Sequence, residues 1–354
     1  MNQKRIYPLF QALLAAGLFG ASAPLAKALL ADIHPIPLAG FLYLGAGLGL
    51  LAWKLAKQLG GQDRDAEAAI RKDDIKWLVG AILAGGVAAP IVLLFSLRAT
   101  PGATASLLLN FEGVATALIA ALAFKEAVSR RAWWAMLLIT LASILLSAKL
   151  GGEFGLSIGA LGILAACVFW GLDNNFTFKI SAKDPLTIVT IKGLAAGSFS
   201  LILARSLGNS FPDPGTALKA LILGSLSYGL SIVLFVHALR GLGAARTSTL
   251  YGTAPVAGML LSFLFLGESF TPMLAVALGL MGVGAVLMVK EQHTHSHAHE
   301  PLSHEHSHVH EDGHHDHEHS GVAIMGAHSH PHLHECIEHE HHHMPEIHHR
   351  HVHA

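Results

Sequence analysis

The chain has 354 residues, 52% hydrophobic and 13% charged, with a mean hydropathy of +0.50, a balance that excludes a soluble enzyme or a nucleic-acid binder. Its formal net charge of −1 conceals two opposite segments, since residues 1–289 hold 21 Lys/Arg against 13 Asp/Glu and residues 290–354 hold 2 against 11. Two cysteines, Cys167 and Cys336, offer no disulfide framework.

Apolar runs of roughly 20 residues, the length that spans a ~30 Å hydrocarbon core, recur along the first 289 residues. They predict ten membrane helices over about 7–31, 36–57, 75–97, 102–124, 132–149, 158–179, 186–206, 217–239, 244–266 and 271–289. Breaks carry the expected punctuation, among them Pro35, Pro37, Pro101-Gly102, Gly151-Gly152, Asp184-Pro185 and Pro212-Asp213-Pro214. Ala21-Ser22-Ala23 resembles a signal-peptidase site, but Pro24 follows and the apolar run continues, so the first run reads as a retained span. With a cytoplasmic N-terminus, 17 Lys/Arg fall on the cytoplasmic side and 5 on the other. That bias predicts a multi-pass protein of the inner or plasma membrane with both termini cytoplasmic.

A shift of 142 residues lays SLRATPGATASLLLNFEGVATALIAALAFKE (96–126) on ALRGLGAARTSTLYGTAPVAGMLLSFLFLGE (238–268) without a gap. Ten of the thirty positions from Leu97 to Glu126 are identical, including Arg98 with Arg240, Ser106 with Ser248 and Glu126 with Glu268. A weaker echo joins LLAAGLFG (13–20) to ILAACVFWG (163–171). Five helices per half is an odd number, so the halves are expected to be inverted, as in secondary transporters with a site near the membrane midplane. The fold class expected is therefore an all-α membrane protein of ten transmembrane helices in two inverted five-helix repeats, residues 1–149 and 150–289, followed by a disordered tail, residues 290–354.

The aromatic-Gly pair in the first helix of each half (Phe19-Gly20, Trp170-Gly171) and the L(G/K)E ending of related helices resemble the EamA type of the drug/metabolite transporter superfamily. ALRGLGAARTSTLYGTAPVAGMLLSFLFLGE looks like that family's second-half signature, with Pro255 and Glu268 in the expected places. The resemblance covers about residues 7–289 and implies transport of a small molecule; relatives move amino acids, other metabolites, drugs and sugar derivatives, many by export. This chain departs from the pattern at Asn110-Phe111-Glu112-Gly113, where a proline near Gly113 is usual, and at Phe41-Leu42-Tyr43, where many relatives carry an arginine.

A charge near the centre of a membrane helix costs about 2.5–3.5 kcal/mol on insertion scales and calls for a partner or a role. Glu112, Lys192 and the run Asp173-Asn174-Asn175 answer to that description. Glu112 is expected either to pair with Lys192 or to bind substrate or a proton, and Lys192 has the alternative of snorkelling to a membrane face. The candidate substrate-binding residues are Asn110, Glu112, Asp173, Asn174, Lys192 and Tyr251, with Tyr43 and Tyr228 as weaker candidates. His237, beside Arg240, reads as structural, and Glu126 and Glu268 as helix-end residues.

Of the 26 histidines, 24 lie in the tail. With no Phe, Trp or Tyr after Lys290, the tail is expected to lack fixed structure when metal-free. Its H-x-H runs nominate His293, His295, His297, His299, His304, His306, His308, His310, His314, His315, His317, His319, His328, His330, His332 and His334 as ligands for Zn²⁺, Ni²⁺, Co²⁺ or Cu²⁺. HEHSH, HEDGH and HEHHH match the metalloprotease pattern H-E-x-x-H, but that chemistry needs a rigid helix and a shaped cleft, and chance matches are expected here. The expectation is a carrier of a small organic solute with a metal-binding regulatory tail, requiring no cofactor for transport. The alternative is a Zn/Ni/Co transporter whose tail collects the ion, and an enzyme is not expected.

Overall fold

The structure is a computed structural model describing residues 3–59, 70–124, 128, 130–147, 157–180, 183–242, 247, 250–289, 293–298, 302–308, 328–334 and 338–343. Among the described residues of the membrane part, the extended elements are helices. Eight helical runs are long and apolar enough to cross a bilayer: Tyr7–Leu29, Pro35–Leu59, Lys72–Leu97, Gly102–Ala123, Arg130–Ser147, Ile158–Phe178, Pro185–Ser206 and Pro214–Ala238. They are called α1 to α8. The last two expected spans appear as shorter apolar helices, α9 (Ala254–Leu266) and α10 (Pro272–Val289).

Several runs are interrupted, which the apolar pattern alone does not reveal. α1 breaks at Ala21 between Gln3–Gly20 and Ser22–Leu29. Pro24 accounts for this, because it has no N–H to give the Gly20 carbonyl and its ring crowds that turn. α4 breaks at Leu109-Asn110 between Gly102–Leu108 and Phe111–Ala123. There the amides of Asn110 and Glu112 bond three residues back, to Leu107 and Leu109. α9 is preceded by a similar turn at Gly252-Thr253; the 142-residue shift places Asn110 on Gly252. α3 and α8 each contain a π-helical segment, Ile82–Ala88 and Ser225–Leu230, which the same shift superposes to within a residue.

Helices cross where glycine removes the side chain. A Cβ on Gly20 of α1 would lie 2.2 Å from the Ala254 carbonyl oxygen of α9, and one on Gly171 of α6 would lie 2.9 Å from the Thr116 amide of α4. These are the glycines of the two aromatic-Gly pairs, so their motif is a packing requirement. α1 packs on α8 and α9, and α6 packs on α3 and α4; α2 packs on α7, and α5 on α10. Each half thus gives its first helix to the other half's third and fourth. The main core gathers where they meet, around Leu38, Leu42, Leu94, Leu97, Leu107, Leu108, Ile163 and Met281.

Polar contacts sort the helix ends into two faces. On one, Lys54 near the end of α2 donates to Thr187 at 2.6 Å and to Asp184 at 3.3 Å, and Lys183 lies 3.8 Å from Asp74 at the start of α3. On the other, Glu268 just beyond α9 meets the first residues of α4. The C-terminal end of α9 therefore lies beside the N-terminal end of α4, and these two sequence-related helices run antiparallel.

Within the tail, four short extended segments are among the described residues. They are β1 (His293–Ala298), β2 (Leu302–His308), β3 (His328–His334) and β4 (Glu338–His343). β1 pairs with β4 and β2 with β3, both antiparallel. Of the nominated ligands, His299, His310, His314, His315, His317 and His319 lie outside the described residues.

Candidate functional site

The charged residues of the spans converge where the helices are interrupted. Asp173 of α6 and Lys192 of α7 form a close ion pair, with Lys192 Nζ 2.5 Å from Asp173 Oδ1 and 2.7 Å from Oδ2. Their side chains are 7% and 13% exposed, so the pair is nearly dry. The Thr177 hydroxyl, one turn below, donates to Asp173 Oδ1 at 3.0 Å and fixes the carboxylate. Gly85, in the π segment of α3, makes room for it; a Cβ there would stand 1.9 Å from Asp173 Oδ2.

Glu112 has a different partner from the expected one. Its carboxylate accepts from Asn174 Nδ2 at 2.9 Å, and the same amide nitrogen reaches the Thr116 hydroxyl at 3.1 Å. Lys192 is taken by Asp173, and it neither pairs with Glu112 nor snorkels away. Consecutive residues on a helix point about 100° apart, so Asp173 faces α7 while Asn174 faces α4. Asn175 completes the run by donating to the Thr116 carbonyl at 3.0 Å and to Gly171, tying α6 to α4. Asn174 is exposed and Glu112 half-buried, with exposed Gly113 beside them, whereas Asp173 and Asn175 are buried. Glu112 is thus the accessible carboxylate and Asp173 the inaccessible one.

An aromatic wall runs between the halves. Phe235, Tyr251, Phe19, Tyr228 and Tyr43 follow one another with ring centroids 4.8, 5.5, 6.0 and 5.9 Å apart. Trp170 ends the row, its indole N–H donating to the Gly85 carbonyl at 3.0 Å and lying 3.3 Å from the Tyr43 oxygen. The Tyr43 hydroxyl donates to the same carbonyl at 2.6 Å. A π segment shifts backbone bonding to i→i+5 and commonly marks functional positions; here the Gly85 carbonyl takes two side-chain donors.

Of the six expected binding residues, the structure brings Glu112, Asp173, Asn174 and Lys192 together and sets Tyr251 in the aromatic wall. Asn110 turns toward α10, with its amide 3.6 Å from the Met281 sulfur. Phe19, Trp170, Thr116, Thr177 and Gly85 were not among those candidates. The aromatic-Gly motif already singled out Phe19 and Trp170, and only their role was unread. The His237 ring centroid lies 6.4 Å from that of Trp53.

A second polar cluster closes the face where α1 and α9 end. α9 stops at Gly267, whose φ of 63° is left-handed and favours glycine, and the chain turns Glu268 back toward α4. The Glu268 carboxylate accepts from the amides of Gly102 and Ala103 at 2.5 and 2.7 Å. Lys27 of α1 lies 3.7 Å from Glu268 and donates to the Thr100 carbonyl. Glu126, the counterpart of Glu268, lies outside the described residues.

Eight apolar helices long enough to cross a bilayer, with charged and aromatic side chains gathered among them, mark a multi-pass membrane protein. The chain belongs to the EamA-like transporter family, whose profile matches residues 6–148 and again residues 157–290. It is 27% identical over 299 residues to an "Uncharacterized transporter" of Methanothermobacter thermautotrophicus, covering 80% of this chain and 87% of the relative. It is 29% identical over 199 residues to a "Probable terminal-alkyne amino-acid exporter" of Streptantibioticus cattleyicolor, covering 54% of this chain and 65% of the relative. A solved crystal structure shares the fold at a TM-score of 0.57 and 21% identity, over 79% of this chain and 95% of its own.

Proposed function

We propose that the protein is a secondary transporter that exports a small zwitterionic metabolite, an amino acid or a close relative, by alternating access between two inverted halves. One observation carries the substrate class: the accessible Glu112 carboxylate of α4 is held by Asn174 of α6, next in sequence to the Asp173 that pairs with Lys192. A carboxylate for an ammonium group and an ammonium for a carboxylate are both within this cluster, beside aromatic faces that attract cations. The printed name of the Streptantibioticus cattleyicolor relative points to the same class.

The inverted arrangement draws support from the exchanged packing of the first helices, the matched π segments and the antiparallel α4 and α9. Alternating access requires a seal that breaks, and the Lys27–Glu268 cluster is a suitable seal on the non-cytoplasmic face. The termini and the tail lie on the cytoplasmic side in this reading, as the Lys/Arg bias predicts.

A metal ion as cargo is the weaker reading. Among the described residues no group of three or more His, Cys, Asp or Glu side chains could hold a metal ion, so the described membrane helices offer no replacement for its hydration shell. The test is uptake into inside-out proteoliposomes of labelled amino acids and of labelled zinc, with the intact chain and with a chain ending at Lys290. Amino-acid flux that survives truncation and is lost on Glu112→Gln is expected. Zinc flux that survives truncation and is lost on Glu112→Gln would overturn the proposal.

A further inference from the structure

The charges around Glu112 do not balance, and the imbalance bears on which end of a substrate they hold. A lysine ammonium has three hydrogens to donate. Those of Lys192 meet Asp173 Oδ1 at 2.5 Å, Asp173 Oδ2 at 2.7 Å and the Thr177 hydroxyl at 3.4 Å, so the ammonium is fully committed. A substrate carboxylate reaches Lys192 only after Asp173 lets go. Glu112 is in the opposite condition. Among the described residues it has no cation within ion-pairing distance. Its Oε1 accepts from the Asn174 amide, while Oε2 takes no donor among the described residues and stays accessible. With Asp173 and Lys192 cancelling, one net negative charge remains, on the accessible member.

The surroundings of that charge are aromatic. Trp170 stands one turn before Asn174 on α6, and residues four apart share a helix face. Glu112 lies near enough to act electrostatically on Tyr43, Tyr228 and Tyr251. The six rings of the wall are half-buried rather than enclosed. Aromatic faces attract ammonium groups, and an unpaired carboxylate adds a charge-assisted hydrogen bond. Neither feature serves an anion. We infer that the ammonium group is what anchors a substrate here, and that the protein carries organic ammonium ions lacking a carboxylate alongside amino acids. This rests on the transport reading above and extends its cargo from zwitterions to organic cations.

The test uses three labelled probes that share one apolar body and differ in charge: phenethylamine, phenylalanine and 3-phenylpropionate. Binding to the full-length protein in lipid nanodiscs is measured by equilibrium dialysis against empty nanodiscs, and flux is measured in proteoliposomes. The amine should bind saturably and at least as tightly as phenylalanine, displace it, and be transported. The propionate should do none of these. Glu112→Gln should weaken amine binding by about tenfold or more, the loss of one charged hydrogen bond. Glu112→Asp, which keeps the charge, should weaken it less. Helical circular dichroism, unchanged in both variants, excludes misfolding. An amine that fails to bind above background, or binds the wild type and Glu112→Gln equally, would overturn the inference, as would propionate binding as tight as the amine's. If phenylalanine still moves in those cases, the transport reading stands. Amine flux without amino-acid flux would instead keep the inference and sink the amino-acid reading.

Discussion

The Asp173–Lys192 pair allows a quantitative test of the site's electrostatics. Replacing Lys192 with methionine keeps much of the stem's volume and deletes the ammonium. Asp173 would then keep the Thr177 hydroxyl at 3.0 Å as its remaining side-chain partner while being only 7% exposed. Orphaning one member of a buried pair costs about 3–5 kcal/mol, whereas replacing both by apolar groups is near neutral. Lys192→Met and Asp173→Leu should each destabilise by that amount, and the double variant by little. The coupling energy is therefore about 6–10 kcal/mol in magnitude, above the usual range of about 0.5–3 kcal/mol for contacting residues. SDS titration in mixed micelles, followed by circular dichroism, reads it. The double variant should be stable yet inactive in proteoliposomes, which separates the pair's structural share from its role in binding. Single-variant losses that simply add, to within about 0.5 kcal/mol, would refute the reasoning.

Gly85→Ala should break the same pair by a different route, since its Cβ would stand 1.9 Å from Asp173 Oδ2; Gly85→Ala and Lys192→Met should be much less than additive in the same titration. Glu268→Gln removes a charge from two backbone hydrogen bonds and from Lys27, with charged hydrogen bonds worth about 1.5–3 kcal/mol each. Labelling of a cysteine placed at Thr100, in a Cys336→Ser background, should accelerate in Glu268→Gln. Asp184 sits below the ordinary carboxylate value: burial pushes it up, but the Thr187 hydroxyl, the Leu186 amide and Lys54 together outweigh this. Because its folded value is depressed, its contribution is complete above about pH 4 and is lost as the pH falls through the lower folded value. Asp184→Asn should flatten that part of the pH–stability curve, and Asp184→Ala, which also removes the α7 cap, should cost about 1 kcal/mol at neutral pH.

The helical membrane architecture was legible because apolar length and Pro/Gly punctuation are one-dimensional signals. The pairing of side chains was not. Glu112 and Lys192 are the natural partners when charges are simply counted, yet the azimuth of α6 gives Lys192 to Asp173 and leaves Asn174 for Glu112. The break at Ala21 was open to reading from Pro24, whereas the π segments have no such marker. Tyr43 was undervalued for that reason, since its anchor is the carbonyl of Gly85 within one of them.

Helix α2 lies between α7 and α8 with glycine at both contacts. A Cβ on Gly47 would come within 2.5 Å of the Leu194 amide, and one on Gly45 within 2.2 Å of the Leu221 carbonyl oxygen. Surfaces made of bare main chain have no interlocking knobs, so they slide without rotamers having to reset. The helix is built like a bearing, and a methyl group at either glycine would act as grit in it.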